Sequence, residues 1–196
     1  MDLDIPTLTT DQLKAQHLNA GDYETYLTLF DSHERLGPLV EIAPLLSDAQ
    51  FWQLVRFAWM TSETTHRARE TWYALLTARR SDREHLMDDE ERVALAHLPK
   101  KVRIYRGCGD DAGIYGMSWT LDRHRAKRFA FLAHGLRRFL RGEVPADLKP
   151  TVAAGWCKKE DILAHFTARD EAEIVINPKH VTVTRAVQWS WPLKRR

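Results

Sequence analysis

Three short stretches, far apart in the chain, carry side chains that could act together on one ligand: VRIYRG at residues 102–107, GMSWT at 116–120 and DEAEIVINP at 170–178. Each is an apolar run of the kind that forms a strand, and side chains along a strand point to alternate faces. Alternation therefore groups Arg106 with Val102 and Ile104, Ser118 with Thr120, and Glu171 with Glu173. Three strand ends would then present a cation, a pair of hydroxyls and a pair of carboxylates, the raw material of a site for an anionic ligand. Taken singly, each set also has a plain structural reading. Arg106 would pair with an acid at a strand end, Ser118 and Thr120 would be ordinary strand residues, and the two glutamates would form a solvated face beside Lys179. The functional reading asks for more: guanidinium, hydroxyl and acid must converge on one crevice.

The elements that would have to position these groups can be read from the hydrophobic pattern. Residues 1–100 read as mostly helical. Thr9, Thr10 and Asp11 are cap-type residues, and Ser47 with Gln50 forms a capping-box pattern before an apolar stripe that starts at Phe51. A second amphipathic run carries Ala68, Trp72, Leu75 and Leu76; a third, residues 88–97, opens with acids suited to a helix N-terminus and is stopped by Pro99. Trp52, Trp59 and Trp72 fall at helical spacing and are expected in the core. Glu63 and His66 read as a surface pair or a satisfied core histidine.

From Lys101 the period changes. Strands are predicted over 102–106, 116–120, 151–156, 162–166, 173–176 and 181–189, with a loop over 107–116. A helix opens at Leu121-Asp122 and runs through Ala126, Phe129, Ala130 and Leu132, extending towards Leu140; residues 142–150 read as a loop. Residues 194–196 are a basic tail expected to fray. A helical first part and a β-rich second part make an α+β protein, divided into 1–98 and 99–196.

The bulk properties agree with a soluble globule: 44% hydrophobic and 29% charged residues, with seven tryptophans to fill a core. No apolar run is long enough to span a membrane, and the N-terminus lacks the pattern of a signal peptide, so a cytoplasmic protein is expected. Cys108 and Cys157 have no metal-type spacing and read as free thiols. No metal site is expected. The net charge of +2 does not define a polyanion binder, but its distribution is uneven. Arg123, Arg125, Lys127, Arg128, Arg137, Arg138 and Arg141 form a cluster that reads either as a solvated helix face or as a surface steering a phosphate-rich partner.

Tyr-Arg-Gly, then Ser-Trp-Thr followed by a helix, then Glu-Ala-Glu, resembles the Arg–Ser–Glu class of ADP-ribosyltransferases, in particular small phage and bacterial members. The likeness covers about residues 99–185 and rests on the order of the three motifs. It implies a β-rich core of two small sheets around an NAD cleft, with NAD as co-substrate. Glu173 corresponds to the catalytic acid that stabilises an oxocarbenium-like carbon, and Glu171 to the acid that orients an acceptor. Arg106 would contact the phosphate and ribose region, Gly107 would bind the nicotinamide amide through its backbone, Ser118 would hold the ribose and the acid, and Thr120 would brace the strand end. The implied activity is mono-ADP-ribosyl transfer to a macromolecule, a host protein first, by an effector, toxin or anti-defence factor in a bacterial or infected cell. The alternatives are hydrolysis of NAD at the same site, a non-catalytic binding or inhibitor protein, or nucleic acid as the acceptor or ligand. Two departures stand out. Arg106 and Ser118 are close in sequence, and Trp119 occupies a place where a small polar residue is common, so its indole either packs on the far face or reshapes the nicotinamide pocket.

Overall fold

A computed structural model of the chain describes residues 8–62, 68–109, 112–132, 149–168 and 171–188. Glu63, His66, Asp170, Arg137, Arg138, Arg141, Trp189, the basic tail and the end of the helix expected to run towards Leu140 lie outside the described residues. The described residues contain seven α-helices and a six-stranded antiparallel sheet, an α+β arrangement. The chain forms two compact units: residues 1–68 with 74–86, and residues 69–73 with 87–196. The division expected at 98/99 therefore falls earlier, and the helix that precedes Pro99 belongs with the sheet.

The first unit is built from α1 (Thr10–Ala20), α2 (Tyr23–Thr28), α3 (Leu36–Ile42), α4 (Asp48–Thr61) and the end of α5 (Arg69–Leu76). Ser47 forms the capping box that its neighbours suggested, and Thr9, expected only as a cap-type residue, forms one with Gln12. The α4 stripe buries Phe51, Trp52, Leu54, Val55, Ala58 and Trp59. Two arginines join helix ends to this stripe. Arg80 lies over the Phe51 ring and donates to the carbonyls of Ala43 and Leu46 at 2.7 and 3.0 Å. Arg83 lies over Trp52, whose indole N–H donates to the Ser81 carbonyl.

The second unit contains α6 (Asp89–His97), β1 (Lys101–Cys108), β2 (Ser118–Thr120), α7 (Arg123–Leu132), β3 (Thr151–Lys158), β4 (Ile162–Phe166), β5 (Glu173–Ile176) and β6 (Thr182–Gln188). Strand order is β4-β5-β2-β1-β3-β6. One face buries Val102, Ile104, Cys108, Trp119, Ile174 and Ile176, with Leu95 of α6 and Leu98 packed against them. The opposite face carries α7, whose Ala126 and Ala130 pack with Val152, Tyr105 and Phe131. The contact between α7 and β1 is backbone-close at Gly107: a Cβ there would stand 1.8 Å from the Ala126 carbonyl oxygen.

The resemblance implied two small sheets, whereas the described strands form one. It consists of two three-stranded halves, β4-β5-β2 and β1-β3-β6, joined by a single registered pair, Tyr105↔Thr120. By contrast β1 and β3 pair along their whole length, Lys101↔Lys158 to Cys108↔Thr151. Beyond Thr120 towards its own start, β2 has no further registered pair with β1, which leaves an opening between the two halves.

Candidate functional site

Arg106 sits at that opening. The Met117 carbonyl faces β5, where it accepts the Ile176 N–H at 3.0 Å. Successive carbonyls along a strand point to opposite sides, so the Ser118 carbonyl faces β1, where the ladder has ended. The Arg106 guanidinium takes the place of the missing strand partner. Its Nη1 donates to the Ser118 carbonyl, and its Nε donates to the Gly113 carbonyl at 2.5 Å. Gly116 lies flat against it, since a Cβ there would stand 2.1 Å from Nη2. Burial pushes the guanidinium below its ordinary value, partly countered by Cys108 and by the Glu173 carboxylate, which is near enough to be felt.

The registers place the other groups on adjacent strands. Thr120 is opposite Glu173 and Ser118 is opposite Val175, so Ser118, Thr120 and Glu173 share one face. It is the face of Tyr105, the partner of Thr120, and hence the face that carries α7. Thr120 and Glu173 are 4% and 9% exposed, a buried hydroxyl–acid pair. The Ser118 hydroxyl makes no hydrogen bond among the described residues. Trp119 packs on the far face as alternation predicts, buried with Ile104 and Ile174, and its indole N–H donates to the Gly116 carbonyl at 3.0 Å.

Convergence is therefore partial. Arg106 is one residue on from Tyr105, so the pleat directs it to the face opposite Ser118, Thr120 and Glu173; it reaches them only through the Ser118 backbone. Glu171 and Glu173 do not share a strand face as their spacing suggested. β5 begins at Glu173, and Ala172 has φ 42°, which interrupts the alternation. The Glu171 carbonyl instead accepts the Thr120 hydroxyl at 2.7 Å, and Thr120 Oγ1 in turn accepts the Asp122 N–H at 3.1 Å. Thr120 thus braces the strand end. Gly107 permits a close approach, but the group that approaches is α7.

A larger cleft, of about 770 Å³, was not legible in the motifs. It is lined by Arg69, Tyr73, Tyr115, Met117, Asn177 and Lys179 among others. Its size suits a nucleotide-class ligand, and Tyr115, 62% exposed, offers a flat ring. None of Arg106, Ser118 or Glu173 lines it; its nearest link to them is through Tyr115 and Met117, which flank Gly116. Hydrophobic spacing could not reveal it, because its walls come from a helix, a turn and two strand ends.

Among the described residues no group of His, Cys, Asp and Glu is arranged to hold a metal ion, and no helix is long and apolar enough to cross a membrane. None of the protein-family models, curated proteins or solved structures compared with the chain matches it.

Proposed function

We propose that the chain is an NAD-dependent mono-ADP-ribosyltransferase of the Arg–Ser–Glu type. The observation that carries the reading is the registered pair Thr120↔Glu173 with Ser118 on the same face, beside a sheet opening closed by Arg106. Hydroxyl and acid stand on neighbouring strands, as a ribose-binding acid and its support require. In the reaction, the bond between ribose C1′ and the nicotinamide nitrogen breaks and its electron pair neutralises the pyridinium. The acceptor forms a new bond to C1′ and releases its proton. The Glu173 carboxylate faces the carbon that becomes electron-deficient and stabilises it electrostatically.

Within this reading Arg106 is a positioning residue, because two of its N–H groups are held by backbone carbonyls. Ser118 supplies a hydroxyl to the ribose or the acid, and Glu171 stands before the strand on the acceptor side. A host protein in the cytoplasm of a bacterial or infected cell is the proposed acceptor.

The test is incubation of the protein with labelled NAD and lysate. Labelled macromolecule supports transfer, free ADP-ribose alone points to hydrolysis, and intact NAD overturns both. Glu173→Gln is expected to lower product formation about 10²–10³-fold with an unchanged circular dichroism spectrum; full activity in that variant would remove Glu173 from the chemistry.

A further inference from the structure

On the face that carries Glu173, two strands away, lies a second and smaller pocket of about 130 Å³. The cross-strand registers run Glu173–Thr120–Tyr105–Ala154–Arg185, so all five belong to one row on one face. Around Tyr105 the pocket gathers three guanidinium groups, Arg103 from β1, Arg123 from the first turn of α7 and Arg185 from the edge strand β6. Among the described residues it has no acidic lining residue, and none of the three arginines has an ion pair. The acid next to it in the chain, Asp122, has a carboxylate oxygen that accepts the His124 N–H at 2.7 Å.

Like charges gathered at a surface repel one another, so such a cluster persists most readily where an anion is to be bound. Arg103 is also held in place. It lies over the rings of Trp156 and Tyr105, 5.0 and 5.7 Å from their centroids, and donates to the Thr184 hydroxyl at 3.1 Å. A stacked guanidinium keeps its edge free for bidentate bonds to phosphate oxygens. The pocket has room for a phosphate group and not for a whole nucleoside, so the rest of the ligand must lie along the surface. The surface continues with the same chemistry: Lys101, two residues along β1, stands 5.1 Å above the Trp156 ring. Lys101 and Arg103 are therefore about 6.6 Å apart along the strand, a pitch comparable with that of successive phosphates in an extended polynucleotide.

We infer that this face binds single-stranded nucleic acid, with one backbone phosphate seated among Arg103, Arg123 and Arg185 and the next beside Lys101. A single strand fits better than a duplex because the cations lie in one short line, Lys101 followed by the cluster of Arg103, Arg123 and Arg185, which tracks one backbone rather than two. Binding does not rest on the proposed transferase activity.

The experiment is fluorescence anisotropy with labelled U12 and dT12, without NAD, over a range of salt concentrations. Each phosphate contact contributes about −0.7 to the log–log salt slope of a single strand. Arg103→Gln/Arg123→Gln/Arg185→Gln is expected to weaken binding at least about tenfold and to flatten the slope by about 0.7, the share of the one phosphate the pocket seats. Should the triple variant not fold, Arg123→Gln/Arg185→Gln, both exposed, is expected to weaken binding in the same direction and to flatten the slope by up to about 0.7. Lys127→Gln/Arg128→Gln, elsewhere on α7, should change it less. Unaltered oligonucleotide binding in the pocket variants would overturn the inference, as would tight binding of pyrophosphate with none of U12 or dT12. Glu173→Gln should bind like the parent, so loss of transfer and loss of binding are separate outcomes.

Discussion

The guanidinium of Arg106 donates to the backbone carbonyl of Ser118 at the point where β1 and β2 part. The bond substitutes a side chain for a strand partner, and so closes the edge beside Ser118, Thr120 and Glu173. It also means that Arg106 shapes the site from the opposite face of the sheet. The distinction between clasp and ligand contact is testable. Arg106→Lys keeps the charge but cannot reach two carbonyls with one planar fork. The variant is expected to lose about 1–3 kcal/mol in urea unfolding, with a lower midpoint and an unchanged slope. A variant as stable as the parent that had lost only NAD affinity would return Arg106 to a direct ligand role.

Gly107→Ala tests the approach of α7 to the sheet. The added Cβ would meet the Ala126 carbonyl oxygen at 1.8 Å and the Ala130 nitrogen at 2.6 Å, both backbone atoms that cannot rotate away. Separating α7 from β1 also disturbs Arg123 and the arginine pocket. Destabilisation of about 1–3 kcal/mol is expected, and thermal unfolding reads it directly. An unchanged midpoint would mean that the helix can slide without cost.

Ala172→Gly should act in the other direction. A φ of 42° disfavours any residue with a Cβ, by about 1–2 kcal/mol in the left-handed region. Glycine removes that cost but adds freedom to the unfolded chain, so a net gain of up to about 1 kcal/mol is expected. Loss of stability would show that the Ala172 methyl makes a packing contact worth more than the strain.

What the sequence revealed, and what it did not, follows from the range of the interactions. The capping box at Ser47 depends on residues three apart and is visible without a structure. So is the alternation that sends Trp119 away from Ser118 and Thr120. The relation of Arg106 to Glu173 depends on registers across two strand pairs, and a shift of one residue reverses a face. Spacing alone could therefore not show that the arginine would address the opposite side. The Glu-Ala-Glu spacing misleads for a local reason, because Ala172 leaves the extended conformation just before β5. The cluster of Arg103, Arg123 and Arg185 is invisible in the sequence, because β1 meets β6 only through β3. Arg123 was noted there as part of a basic helix, and only the fold brings it to arginines on two strands.

His165 supplies a last prediction, on pH. The side chain is 4% exposed on β4, and neither ring nitrogen has a hydrogen-bond partner among the described residues. Burial pushes the imidazole below its ordinary value of 6.5, because the charged form would lose its hydration. In the unfolded chain the ring regains that ordinary value. Between the two values the unfolded state binds the additional proton, so stability rises with pH there and is lost as pH falls below about 6.5. Unfolding free energies measured at about pH 7.5 and about pH 5.5 should therefore differ more in the parent than in His165→Leu, which has no ring to protonate. The carboxylates are present in both proteins, and their contribution cancels in that comparison. Equal differences in parent and variant would show that the ring finds a partner, a water molecule or a movement of β4, that lets it carry charge inside the fold.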